Sequence, residues 1–179
     1  MARRFTKAGP DVRAARDIRI RRAVRADLPV ITVIYNEAIL TTTATFDIKP
    51  QTIRKRLAWF RAHGRRYPII VAEMKGDVVG WASISPWSDR AAYDVTGETS
   101  FYVKSEFRGR GIGRKLKRAI VDEARRSGFH SLIARVADDS KVSLHLNGVA
   151  GFKHVGTLKE VGRKFGKLLD VHVLQKILD

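Results

Sequence analysis

The segment that most constrains the fold of this chain is YVKSEFRGRGIGRKL, residues 102–116. It begins with residues typical of a strand, passes through three glycines and ends with residues typical of a helix. Glycines let a backbone approach a ligand closely, and the first turn of a helix carries unpaired N–H groups with a partial positive charge. The segment therefore predicts an anion site suited to a pyrophosphate. A basic, solvated start of a helix is the alternative, because short glycine motifs also occur without a ligand.

Length and composition limit the class of protein. A chain of 179 residues with 44% hydrophobic residues predicts one folded domain with a sizeable core. The formal net charge of +17 favours contact with polyanions, which include nucleic acids and phosphorylated cofactors. The sequence has no cysteine, which excludes disulfides, zinc thiolates and a thiol nucleophile, and its five histidines are too scattered to predict a metal site. With no secretory signal and no membrane-length apolar run, we expect a cytoplasmic protein.

The order of predicted elements indicates an α/β fold with a mixed sheet. Residues 1–17 are basic and lack apolar periodicity, so we expect a flexible tail, followed by one domain over residues 18–179. Hydrophobic spacing and turn residues give the order β-α-α-β-β-β-α-β-α-β-β. The predicted strands lie at 18–24, within a hairpin over 69–85, and at 99–103, 131–137, 153–160 and 168–177; the predicted helices follow Asp27, run from Ile53 to Gly64, and cover 111–127 and 140–149.

Several stretches resemble a known family. RGRGIG, residues 108–113, is similar to the Arg/Gln-x-x-Gly-x-Gly/Ala turn of the GNAT acetyltransferases, which holds the pyrophosphate of acetyl-CoA. The predicted element order also matches that fold, with a mostly antiparallel sheet flanked by helices. The resemblance is closer to the phosphinothricin N-acetyltransferase family and covers about residues 18–177. The matching stretches include YNEAILTTTATF (35–46) and SPWSDRAAYDVTGETSFYV (85–103). The most specific ones are AYDVTGETSFYV (92–103) and GRKFGKLLDV (162–171).

The resemblance implies a cosubstrate and a set of site residues. Acetyl-CoA is the implied cosubstrate, and Glu98 occupies the position of the catalytic glutamate, where it could take a proton from an amine. A salt-bridged surface glutamate is the alternative interpretation of Glu98. The strand FYV should offer backbone groups to the pantetheine arm and polarise the thioester carbonyl. The implied cofactor-binding residues are Phe101, Tyr102, Val103, Arg108, Gly109, Arg110, Gly111, Ile112, Gly113, Arg114 and Ser140.

The segment SKVSLHLNGVAGF, residues 140–152, departs from the pattern of the family. Ser140 stands where many members have an asparagine, and Asn147 stands where many have a histidine. Asn147 cannot donate a proton as an acid, but it could hydrogen-bond the sulfur or a water molecule. His145 is two residues away, about 200° around a helix, so we expect it to face elsewhere. A two-residue slip in register would reverse these two roles.

The acceptor is predicted less sharply than the cosubstrate. By resemblance, Phe46, Arg90 and Tyr93 border the acceptor pocket, and a guanidinium could bind a carboxylate in bidentate fashion. The leading prediction is acetyl transfer in a ternary complex to the amino group of a small amino acid or analogue, such as phosphinothricin or methionine sulfoximine, by a homodimer. Two alternatives stay open: transfer to a protein or polyamine amine, and a basic nucleic-acid-binding module that retains the fold.

Overall fold

A single seven-stranded sheet organises the chain. The computed structural model describes residues 17–178. The strand order in the sheet is β1-β2-β3-β4-β5-β7-β6. The fold class and the element order agree with the sequence prediction. The elements are β1 Ile18–Arg22, α1 Leu28–Thr41, α2 Ile53–His63, β2 Ile69–Met74, β3 Asp77–Pro86, β4 Thr96–Val103, α3 Ile112–Arg126, β5 Ser131–Ala137, α4 Lys141–Val149, β6 Lys153–Lys164 and β7 Lys167–Ile177.

One pair of neighbouring strands differs from all the others in the sheet. β4 and β5 are parallel, whereas each other neighbouring pair is antiparallel. Residues 96–98 of β4 pair with residues 131–133 of β5, and no pairing between these strands continues beyond Glu98 and Ile133. β4 stays paired with β3 up to Val103, and β5 stays paired with β7 up to Ala137. The sheet therefore opens between β4 and β5 at Glu98.

Helices cover both faces of the sheet because each face carries apolar side chains. On one face, Ile31 and Ile34 of α1 pack against Val71 and Trp81 of the central strands. On the other face, α3 buries a continuous apolar stripe that includes Leu116 and Ile120. Side chains of a strand alternate between the faces, so neighbouring residues of β4 serve different layers. This alternation decides which β4 residues reach which side of the opening.

Two predictions concern the N-terminal tail and the strand β6. All of the predicted tail except Asp17 lies outside the described residues, so the tail and its boundary stay predictions. β6 reaches Lys164, four residues beyond the predicted strand, and its pairing with β7 is interrupted by two irregularities. No helix within residues 17–178 is long and apolar enough to cross a membrane.

Candidate active site

A cavity of about 730 Å³ lies on the face of the sheet covered by α1 and α2. The β4 residues that face it alternate along the strand, as strand geometry requires. The loop after α1 and the β6–β7 hairpin complete its wall. The residues that line this cavity include Phe46, Arg56, Glu98, Ser100, Tyr102 and Arg135.

Glu98 lines the cavity at the point where β4 and β5 separate. It lies within β4, not before the strand as the sequence predicted, because β4 begins at Thr96. Its two carboxylate oxygens accept hydrogen bonds from Arg135 of β5, at 2.7 Å from Nε and 2.8 Å from Nη2. The Glu98 side chain is 18% exposed and that of Arg135 is 53% exposed. This hydrogen bonding raises the pKa of Arg135, so the guanidinium remains charged and Glu98 has a fixed orientation.

Arg56 of α2 lies inside a cluster of aromatic rings at the wall of the cavity. Its guanidinium carbon is 3.6 Å from the centroid of the Trp59 ring and 4.8 Å from that of Tyr35. Its Nε and Nη2 atoms are buried and have no hydrogen-bond partner in the described chain. Burial lowers the pKa of Arg56 to about 10, so the group still carries a charge at neutral pH. Cation–π attraction to the rings compensates part of the desolvation cost of this charge.

A second, smaller cavity of about 50 Å³ occupies the opening between β4 and β5. Thr99 and Phe101 line it from β4, and Ser140 and Asn147 line it from the start and middle of α4. Asn147 is 1% exposed, and its Nδ2 donates a 2.9 Å hydrogen bond to the carbonyl of Ser143. Its Oδ1 is buried without a partner in the described chain. An acceptor atom that lacks a partner in the protein suits a ligand N–H or S–H group.

The glycine turn has the backbone geometry that an anion site needs. Gly109 and Gly111 have φ values of 77° and 81°, a region that favours glycine, and a Cβ at either position would meet open space. Gly111 is the N-cap residue of the 15-residue helix α3, so the first N–H groups of this helix border that open space. Gly113 serves packing instead: a Cβ there would come within 3.0 Å of Leu146.

Of the other residues predicted at the cofactor site, some line a cavity, some are buried in the core and some are exposed. Tyr102 lines both cavities, while its side chain packs against Trp81 at 4.8 Å between ring centroids. Val103 packs against the core, and its carbonyl accepts a hydrogen bond from Arg108. The Ile112 side chain is buried in the core, so this residue can offer only its backbone to a ligand. Arg110 contacts the Glu106 carbonyl, and Arg114 is exposed.

Two of the three predicted acceptor residues lie elsewhere. Phe46 lines the larger cavity, but Arg90 and Tyr93 are exposed and line neither cavity. The reason is the 3₁₀ turn Ala91–Tyr93, which belongs to the connection beyond the ends of β3 and β4. Neither residue borders the larger cavity, and their role at the acceptor pocket stays a prediction. His145 is exposed, as the helix spacing predicted.

Arg56 and Arg135 are two cavity residues that the sequence interpretation missed. Each carried a signal. Arg56 lies on the same helical face as Trp59 and Phe60, where a solvated charge is unexpected. Arg135 interrupts the otherwise buried strand SLIARVA. A charged residue at an apolar position indicates either an ion pair or a site, and position 135 has both.

The comparisons with known proteins agree with this geometry. The sequence profile of the Acetyltransferase (GNAT) family matches residues 31–152. An L-methionine sulfoximine/L-methionine sulfone acetyltransferase of Pseudomonas paraeruginosa is 40% identical over 162 residues, which are 89% of this chain and 94% of the relative. The chain therefore belongs to the GNAT acetyltransferases. Within that family it is an acetyl-CoA-dependent N-acetyltransferase, of the kind that acts on amino-acid analogues in its relatives.

Two solved structures have the same fold. A GNAT phosphinothricin acetyltransferase from Sinorhizobium meliloti, in complex with acetyl-CoA, is 35% identical with a TM-score of 0.87, covering 90% of this chain and 89% of that one. A ribosomal-protein-alanine N-acetyltransferase from Brucella melitensis is 41% identical with a TM-score of 0.86, covering 89% of this chain and 99% of that one. The two names point to different acceptors, so fold and identity leave the acceptor of this chain open.

The residues present fit acetyl-CoA. The open space at Gly109 and Gly111 and the start of α3 suit a pyrophosphate. Beyond Glu98, the edge of β4 that faces β5 has no strand partner, so its backbone groups are available to an extended ligand. Asn147 offers an unused acceptor beside that edge. When bound, acetyl-CoA supplies an activated acetyl group as a thioester.

Proposed function

We propose that this enzyme acetylates the α-amino group of a free amino acid or a close analogue, with Glu98 as the general base. The observation that carries the proposal is the position of Glu98. It stands at the junction between the larger cavity and the opening of the sheet, where an amine in the cavity and a ligand along β4 would meet. The names of the relatives support an acceptor of the methionine sulfoximine or phosphinothricin type.

Acetyl transfer to an amine requires the removal of a proton from the acceptor ammonium group. An ammonium group has no lone pair, so the acceptor must lose a proton before or during its attack on the thioester. Glu98 accepts that proton, directly or through water, because its carboxylate retains unused lone pairs beside the two bonds to Arg135. Backbone N–H groups of β4 stabilise the negative charge that develops on the carbonyl oxygen.

The departing thiolate needs little help near neutral pH, because a free thiol has a pKa of about 8.5. Asn147 therefore does not have to act as an acid. Its Oδ1 accepts a hydrogen bond from the thiol product or from an amide N–H of the pantetheine arm, since no described residue uses that atom. We assign Asn147 a binding and orienting role in the smaller cavity.

A thiol-release assay with acetyl-CoA across a panel of free amino acids, amines and peptides tests the proposed function. We expect methionine sulfone, methionine sulfoximine or phosphinothricin to be acetylated faster than polyamines or peptides. Glu98→Gln should lower kcat by about 10²-fold or more and leave acetyl-CoA affinity almost unchanged, because glutamine keeps the shape without the basicity. A fully active Glu98→Gln variant would refute the assignment of the base.

Acetylation of a protein N-terminus is the second candidate, favoured by the likeness to the ribosomal-protein-alanine N-acetyltransferase. A peptide N-terminus carries an amide where a free amino acid carries a carboxylate. The same panel separates the two candidates, because a protein N-terminal acetyltransferase should prefer an alanine-initiated peptide to free alanine.

We also propose that the enzyme is a homodimer that acts in the cytoplasm, where acetyl-CoA is available. The β6–β7 hairpin leaves several apolar side chains about half exposed, which favours a protein contact there. These side chains are Val155, Leu158, Val161, Phe165 and Leu168. Light scattering on the purified protein should give twice the mass of 20.2 kDa, and a monomer would contradict this proposal.

A further inference from the structure

Arg135 binds the proposed base and still has hydrogen-bond donors to spare. A guanidinium carries five N–H groups, and the fork to Glu98 uses one on Nε and one on Nη2. Within residues 17–178, no acceptor takes a hydrogen bond from the other three N–H groups. The side chain is half exposed and lines the larger cavity, so these donors are available to a ligand in that cavity.

The orientation of Arg135 is fixed before any ligand arrives. Its backbone pairs with Val173 of β7, its guanidinium lies 5.7 Å from the centroid of the Trp87 ring, and Glu98 holds two of its nitrogens. A guanidinium held in this way loses little conformational freedom when it binds an anion. This preorganisation distinguishes Arg135 from an ordinary surface arginine.

Glu98 and Arg135 together complement a zwitterion. Each Glu98 oxygen accepts one bond from Arg135 and keeps a further lone pair for the N–H groups of an amine. An α-amino acid carries its ammonium and its carboxylate on the same carbon atom, so one group can reach Glu98 while the other reaches Arg135. We propose that Arg135 binds the α-carboxylate of the acceptor and thereby selects free α-amino acids over amines, amides and peptide N-termini. This inference rests on the proposed function and specifies its acceptor.

The other cations near the cavity fit this role less well. Arg56 is buried among aromatic rings and makes no hydrogen bond or ion pair with Glu98. Lys55 is exposed and lacks a fork geometry. Arg90, the arginine that the sequence suggested, lines neither cavity.

The test compares the best free amino acid found in the panel with its own α-carboxamide. The amide keeps the amine and the side chain but has no carboxylate. The unmodified enzyme should prefer the free acid, and Arg135→Ala should raise KM for the acid by about 10- to 100-fold, the range expected for a charge-assisted hydrogen bond. In the same Arg135→Ala variant, KM for the amide should change by less than about 3-fold. Arg135→Lys should restore part of the affinity for the acid, because it keeps the charge without the fork.

Arg126→Ala is the matched control. Arg126 is also an exposed arginine that pairs with a glutamate, Glu123, but it lies in the last turn of α3, away from both cavities. This variant should leave both acceptors unaffected. A calorimetric titration of the acid into each variant in the presence of CoA gives a second readout that does not depend on turnover.

Two results would overturn the inference while the proposed function stands. One is an unmodified enzyme with equal kcat/KM for the acid and the amide. The other is an Arg135→Ala variant that loses the same factor on both acceptors, because a purely structural role would produce that pattern. If the panel shows acetylation of amines or peptides but of no free amino acid, the proposed function fails and the inference fails with it.

Discussion

The side-chain nitrogen of Lys117 donates a 2.7 Å hydrogen bond to the hydroxyl of Thr99, beneath the opening between β4 and β5. Lys117 is 1% exposed, and its Nζ lies 3.8 Å from the centroid of the Phe152 ring. No described carboxylate is paired with it. Burial lowers the pKa of Lys117 to about 7, well below the usual 10.5. A lysine inside the core therefore anchors the strand that carries the proposed base.

The stability of the protein should depend on pH because of Lys117. Between about pH 7 and pH 10.5 the unfolded chain holds a proton on this lysine that the folded protein does not hold. Stability from this group therefore rises with pH through that window and is lost as pH falls toward 7, by at most about 5 kcal/mol. Lys117→Met should raise the Tm at pH 7, and it should remove most of the increase in stability between about pH 7 and pH 10.5.

Thermal denaturation between pH 7 and pH 9.5 measures this effect, below the range in which tyrosines ionise in the unfolded chain. Lys49→Met, at an exposed position in the loop after α1, is the control and should leave the slope unchanged. Parallel stability curves for the unmodified protein and Lys117→Met would show that the lysine is charged in the folded state at all these pH values.

Asn147→Leu should separate stability from activity. The unpaired buried oxygen destabilises the unmodified protein by about 1–3 kcal/mol, and the substitution removes this penalty. It also removes one hydrogen bond to the Ser143 carbonyl, which stabilises the protein by about 1 kcal/mol. We expect the Tm to stay unchanged or rise, while kcat/KM for acetyl-CoA falls by about 10-fold, the value of one lost hydrogen bond of about 1.4 kcal/mol. The neighbouring His145→Ala should have no effect on either quantity. A fully active Asn147→Leu enzyme would remove Asn147 from the site.

Gly111→Glu should abolish most acetyl-CoA binding. It places a side chain and a negative charge in the open space at the start of α3, where the pyrophosphate is expected. Gly166→Glu is the matched control, because Gly166 has nearly the same φ, 77° against 81°, and equally open surroundings in the β6–β7 turn. Backbone strain should therefore be similar in both variants. Calorimetry that gives the same acetyl-CoA affinity for both would contradict the cofactor assignment.

Gly162→Ala should change the acceptor side of the site alone. A Cβ on Gly162 would overlap the ring of Phe46, which lines the larger cavity, so Phe46 has to move. We expect KM for the acceptor to rise by about 10-fold, since small displacements of positioning groups have effects of this size or more. KM for acetyl-CoA should stay constant. Gly156→Ala, on the same strand with open surroundings, serves as the control, and an equal effect of both substitutions would exclude a role of Phe46.

Local patterns in the sequence predicted most of the fold. The period of apolar residues located the helices, and the alternating runs located the strands, with β5 predicted at its observed residues 131–137. The end of β6 was missed because many of its residues are exposed and its pairing with β7 is irregular, so neither face carries a regular apolar period. The turn at Gly109 and Gly111 was predictable because its conformation is local.

The acceptor side of the site was less predictable, because it depends on contacts between distant segments. Glu98 and Arg135 are 37 positions apart and meet only because β4 and β5 are parallel neighbours. No local pattern specifies that pairing. Arg90 and Tyr93 show the opposite situation: they are close to Glu98 in sequence, but the 3₁₀ turn at 91–93 places them past the end of the strands and outside both cavities.

The opening of the sheet between β4 and β5 divides the binding duties between separate parts of the chain. The proposed acceptor cavity is walled by α1, α2 and the β6–β7 hairpin, whereas α3 and α4 border the expected cofactor site, and β4 and β5 face both. Residues of α1, α2 and the β6–β7 hairpin can therefore be substituted with little effect on α3 and α4. In a directed-evolution library, randomising the cavity positions of α2 and β6 would select for new acceptors while acetyl-CoA binding stays unchanged.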